Sequence, residues 1–275
     1  MGISRMADAL SSTATAFARD DDPEFVRLAA PSTLKMVEML LDDAPAHPGL
    51  LMTACSGFAQ YGYAFLQVDA EMREPADAAG VRELKQRAAA MYARARGYCG
   101  RALDVTHPGL GTALRGEPTP LLKVATRTDV PALYWTAVAW GGELSLADTP
   151  LLRLGEVAAV RLLLTRALEL DEAWERGAIH EAFIALDGLP VLLGGNPARA
   201  RAHFDRAVVL AAGQSAFAYV ALAEGVSQRA GDRAEFERLL RAAIAIRDSP
   251  PSLRLANRIA QRRAAFLLAR ASRLF

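Results

Sequence analysis

Apolar residues along this chain recur at spacings of three and four, and one arrangement repeats. "ARARAHFDRAVVL" places Ala200, Phe204 and Ala207 at spacing four then three, and "FERLLRAAIAI" does the same with Phe236, Leu240 and Ala243. Val160, Leu164 and Ala167, and again Ala95, Cys99 and Ala102, follow that spacing. Such stripes mark one face of an α-helix, whereas a strand would alternate with period two. Period-two stretches are scarce, and no Asn-Gly or Asp-Gly hairpin turn occurs. The pattern predicts an all-α chain.

Helix starts share a format in which a capping residue precedes proline: Asp22-Pro23, Thr149-Pro150, Asn196-Pro197 and Ser249-Pro250, with weaker versions at His47-Pro48 and Val130-Pro131. The cap side chain accepts from an orphan N–H, and proline sits where its missing N–H is not needed. Small–large–small stripes suit the second helix of a tetratricopeptide-like pair, because small residues let a neighbouring helix approach. The expectation is a right-handed superhelix of antiparallel helix pairs forming one domain over 1–275. Its units run over about 23–67, 49–106, 130–171, 172–211 and 214–247. An unrelated helical bundle is the alternative. The arginine-rich segment 250–271 is expected to cap the stack with one wet face, the other reading being a basic helix lying on a membrane surface.

Two stretches suggest binding. In "DVPALYWTAVAWGGELSL" Trp135 and Trp140 lie five positions apart on a nearly all-apolar helix beside Tyr134. Five positions is about 500°, so the two indoles point roughly 140° apart. Either the helix is packed all round, or one side borders a cavity. The expectation is Trp135 in the core and Trp140 lining an apolar space, with Gly141-Gly142 allowing close approach and Glu143 just beyond. In "GFAQYGYAFLQ" Phe58, Tyr61 and Phe65 form a core face, while Gln60, Tyr63 and Gln67 form a neutral polar face suited to a partly apolar ligand. Ordinary packing is the competing reading for both. Glu143 and Glu181 sit in apolar helices, where arginine partners are the plain expectation and a functional role the sharper one.

Composition narrows the function classes. A net charge of +1 gives no global field toward nucleic acid or acidic lipid. No phosphate loop ending in Gly-Lys-Ser/Thr occurs, "HEAFI" lacks the second histidine of a zinc helix, and no serine-nucleophile elbow is present. Neither an enzyme, a cofactor nor a metal site is expected. Cys55 and Cys99 exclude a disulfide scaffold; two core thiols are the plain reading, with pairing left open.

Several blocks together resemble one family. "DDDPEFVRLAAPSTLKMVEMLLDDAPAHPGLLMTACSGFAQYGYAFLQ", "DVPALYWTAVAW", "RALELDEAWERGAIHEAF" and "RLANRIAQRRAAFLLAR" resemble the T component of TRAP transporters, the TatT family, in order and nearly end to end. The resemblance implies a periplasmic lipoprotein of tetratricopeptide type, forming homotrimers and associating with the substrate-binding protein of a tripartite ATP-independent transporter. It also implies a channel for a small, hydrophobic organic ligand. The signal and lipidated cysteine are expected ahead of Met1. The ligand or channel candidates are the motif positions Gln60, Tyr63, Gln67, Tyr134, Trp135, Trp140, His180, Glu181, Asn257 and Gln261, together with Glu143 from the tryptophan helix. The alternative class is a cytoplasmic scaffold that binds peptides in its concave groove; neutral aromatic first helices argue against it.

Overall fold

A computed structural model describes residues 13–74, 76–113, 122–147 and 153–275. Thr149-Pro150 lies outside them, as does the opening segment. Among the described residues there are helices and no strands. From Glu24 onward the chain divides into two compact units, Glu24–Asp171 and Glu172–Phe275.

The first unit contains α2 (Pro23–Asp43), α3 (Pro48–Tyr61), α4 (Val68–Met72), α5 (Ala78–Thr106), α6 (Leu110–Ala113), α7 (Val130–Ser145) and α8 (Leu154–Leu170), after a short α1 (Thr13–Ala18). Two of these helices begin at the prolines the sequence suggests, and one of them carries the expected side-chain cap. Pro23 opens α2, and the His47 ring accepts from the Leu50 N–H at 3.3 Å as α3 begins at Pro48. α7 begins differently. Thr126 and Asp129 form a reciprocal capping box around a 3₁₀ turn, Arg127–Asp129, which then leads into Val130-Pro131. A core of Leu34, Val37 and Leu41 from α2, Leu50, Leu51 and Phe58 from α3, Ala95 and Ala102 from α5 and Ala139 from α7 joins these helices.

Cys55 on α3 and Cys99 on α5 are joined in a disulfide, which corrects the plain reading of two core thiols. Both lie fully buried where α3 crosses α5. The Ala95–Cys99–Ala102 stripe places Cys99 on a packed face, but a stripe does not say which residue of the other helix it meets. Here small-residue spacing brings the two backbones together at the same level.

One of the two adjacent glycines of α7 has a packing reason, Gly142. A Cβ there would lie 2.5 Å from the ring of Tyr92, so the glycine lets the α5 tyrosine lie flat against α7. Gly141 faces nothing nearer than Val160 at 3.8 Å and meets no such demand.

The second unit contains α9 (Ala178–Asp187), α10 (Pro197–Leu210), α11 (Ala216–Leu222), α12 (Arg233–Ala245), α13 (Arg254–Ala269) and α14 (Ala271–Leu274). Asn196 caps α10 by accepting from the Arg199 N–H at 3.0 Å. Ala200, Ala207, Phe236, Leu240 and Ala243 all enter this unit's core, as their stripes require, while Phe204 packs at its edge. The Ser249-Pro250 start is corrected: a 3₁₀ turn, Pro251–Leu253, intervenes and α13 begins at Arg254. A second proline at 251 keeps the chain extended at Pro250. Ser249 instead accepts a hydrogen bond from Asn257.

Candidate functional site

α5 turns one face, with Arg96, Gly97, Gly100, Arg101 and Asp104, toward a cavity of about 460 Å³, and Trp140 and Thr136 of α7 close its far side. Gly97 and Gly100 open this space by removing side chains at successive turns of α5. Asp104 holds the edge by accepting from the Gly111 N–H at 2.8 Å.

The Trp140 indole is fixed by two contacts. Its Nε1–H donates to Glu156 Oε2 at 2.7 Å, and the Arg96 guanidinium lies 5.3 Å over its ring. Arg153 clamps Glu156 through Nε at 2.6 Å and Nη2 at 2.8 Å. These bonds, Arg153 first, hold the Glu156 carboxyl below its ordinary value against the opposing effect of burial. Glu143 closes the network, 3.1 Å from Arg96 and 3.4 Å from Arg153. The arginine partnership is the role the structure gives Glu143.

Trp140 therefore borders a cavity, but that cavity is not the purely apolar space expected: Arg96, Arg101 and Asp104 contribute to its lining. Its volume suits a small organic molecule, and cationic and acidic side chains share its lining with the edge of Trp140. Trp135 lies on the α2–α3–α5 core, half-buried, with Tyr134 edge-on at 5.0 Å.

The polar face of "GFAQYGYAFLQ" is divided by a π-helical stretch, Gly62–Gln67, inserted between α3 and α4. The wider turn changes the angular step, so i, i+3, i+7 counting does not hold across it. Gln60 is exposed, while Tyr63 and Gln67 are half-buried against the Tyr92 side of α5. The Tyr92 hydroxyl donates to Gln67 Oε1 at 2.6 Å, and Gln67 Nε2 donates to Glu71 at 3.0 Å. Burial, with the nearby Tyr63 and Glu71, pushes the Tyr92 hydroxyl well above its ordinary value.

The remaining candidates belong to the second unit. His180 Nδ1 lies 2.8 Å from His203 Nδ1, and His180 Nε2 lies 3.2 Å from Glu172. Glu181 turns to Ser215 and has no arginine; burial pushes its carboxyl up to about 7, with the Ser215 hydrogen bond acting in the opposite sense. Asn257 is buried and engaged with the chain itself. Its Oδ1 accepts from the Ala216 N–H at 2.8 Å, and its Nδ2 donates to the Gln214 carbonyl at 2.7 Å. Gln261 donates to the Ala243 and Ile246 carbonyls at 3.2 and 2.7 Å, closing the end of α12. Sequence reasoning did not reach Tyr92, Arg96, Arg153, Glu156 or His203. Of these, only the Arg153–Glu156 pair carries a local signal, its i, i+3 spacing. No group of three or more His, Cys, Asp or Glu among the described residues could hold a metal ion.

A family model described as "TRAP transporter T-component" matches residues 19–275. The chain belongs to this family. A relative in Treponema pallidum (strain Nichols), described as an uncharacterized protein, is 26% identical over 265 residues, covering 94% of this chain and 82% of its own. As a T-component, the chain is an accessory part of a tripartite transport system. No helix among its described residues is long and apolar enough to cross a membrane.

Proposed function

We propose that this T-component works in the periplasm without catalysing a reaction, docking the substrate-binding protein of its transporter and receiving a small organic ligand. The observation that carries the reading is the family match over residues 19–275. Two structural features support it. The Cys55–Cys99 disulfide suits an oxidising compartment, where such bonds persist, and argues against the cytoplasmic scaffold. The cavity beside Trp140, lined also by Arg96, Arg101 and Asp104, supplies a place for a small ligand with polar groups. A through-channel, a lipid anchor and a homotrimer belong to the same proposal. So does the reading of the helix pairs as divergent tetratricopeptide-type repeats in a right-handed superhelix. The test is to recover the tagged chain from the periplasm of its own cells under mild extraction. Co-recovery of a TRAP substrate-binding protein supports the proposal. Purification in a cytoplasmic fraction with reduced cysteines removes it.

A further inference from the structure

The second unit holds an imidazole pair that the transport reading does not use. His180 on α9 and His203 on α10 face each other through their Nδ1 atoms at 2.8 Å. A nitrogen–nitrogen contact this short needs one proton between the atoms: one ring donates and the other accepts. The pair can carry no charge or one, but with both rings protonated two N–H groups would point at each other. We propose that this pair is a proton-operated latch between α9 and α10, closed while the rings share a proton and open once both are charged.

The surroundings set which ring accepts. Glu172 Oε1, 3.2 Å from His180 Nε2, takes that N–H, which leaves His180 Nδ1 as the acceptor and His203 Nδ1–H as the donor. Arg206 of α10 holds Glu172 in a two-pronged contact at 2.7 and 2.8 Å, and its bond is the main reason the carboxyl stays near 2 and ionised. On the far side, Asp187 at the end of α9 is fully buried; its Oδ2 lies 3.8 Å from His203 Nε2 and its Oδ1 accepts from Arg199 of α10. Phe183 stacks flat on His203 at 4.5 Å, and Glu181, one residue along α9, turns to Ser215. A proton added at His203 Nε2 would lie toward Asp187, on the side away from His180. A second added proton must enter on His180, whose side chain is only 6% exposed. Burial holds His180 below the ordinary imidazole value, and Arg206 adds to that; Glu172 opposes it only in part. The rings titrate as a coupled pair, so opening follows the second proton.

The test combines ¹⁵N imidazole shifts with amide hydrogen exchange on the full chain, between pH 7.5 and pH 5. At pH 7.5 the latch requires His180 Nδ1 unprotonated and His203 Nδ1 protonated. Toward pH 5, protection factors in α9 and α10 should fall at least tenfold as His180 charges, while those in α12 and α13 hold. His203→Asn presents an amide that can turn either N–H or C=O toward His180, so its α9–α10 protection should not fall. Unchanged protection in the wild-type protein at pH 5, or a proton on His180 Nδ1 at pH 7.5, overturns the proposal. So does a folded His203→Asn variant that opens as the wild type does. If that variant does not fold, the wild-type shifts and protection factors decide alone.

Discussion

Replacing Glu181 with glutamine should stabilise the protein above neutral pH and leave it unchanged near pH 4.5. Burial, opposed by the bond to Ser215, moves this carboxyl from 4.5 to about 7 in the folded chain. The folded state therefore binds the proton more tightly than the unfolded state does. Between those two values it holds the larger share of protons, so stability falls as pH rises. Above pH 7 both states are ionised and the whole penalty stands. At 1.36 kcal/mol per pH unit the displacement is worth about 3 kcal/mol, and partial water access to the side chain brings the expectation to about 2–3 kcal/mol. Glutamine has the same shape, keeps a partner for Ser215 and never ionises. His180 acts in the opposite direction, withdrawing stability as pH falls below 6.5, because its folded value is depressed. That contribution is common to both proteins and cancels in the difference. Urea unfolding at steps from pH 4.5 to 8.5 measures the difference, provided the slope with denaturant stays constant. The expected curve starts near zero and rises through pH 5–7 to its plateau. Parallel curves for variant and wild type, or a variant less stable at pH 8, would show that Glu181 does not sit desolvated without a cationic partner.

Reducing the Cys55–Cys99 bond, or Cys55→Ser with Cys99→Ser, should cost about 4 kcal/mol by the chain-entropy relation for a 44-residue separation, read from urea midpoints with and without reductant. Gly142→Ala should lose about 1–3 kcal/mol, because its new methyl meets the Tyr92 ring; a neutral result would mean that α5 and α7 lie farther apart than described. Trp140→Phe keeps an aromatic face but frees Glu156 of a donor, so thermal unfolding should show a loss of about 1–3 kcal/mol. Phe236→Ala, at a fully buried ring, should cost about 3–5 kcal/mol, whereas Phe204 at the edge of the same core should cost less.

The helices were legible because their signals are local. Asn196-Pro197 and the Ala200–Phe204–Ala207 stripe carry a start and a buried face within a dozen residues. The π stretch at Gly62–Gln67 was not legible, since its apolar and polar residues read as a continuation of the preceding helix and nothing local marks the wider turn. Ser249-Pro250 misled for a related reason: the following Pro251 delays the helix, and Asn257 claims the serine hydroxyl from within α13. Trp140 could be singled out by its angle from Trp135, but its partners Glu156 and Arg96 lie on other helices. Charged lining at the cavity was invisible for the same cause, because Arg96 and Arg101 read along α5 as an ordinary wet face. The disulfide and the histidine pair are both meetings of two helices, and a single stripe names only one participant. Glu143 and Glu181 looked alike in sequence and differ entirely in partners.

The measurement that bears most directly on the account is titration calorimetry of the purified, oxidised chain with a TRAP substrate-binding protein from the same organism. The account predicts saturable binding with a Kd of about 10 µM or tighter, which corresponds to roughly 7 kcal/mol of association free energy. Absence of binding at about 100 µM of each protein, with both folded and ligand supplied, would contradict it.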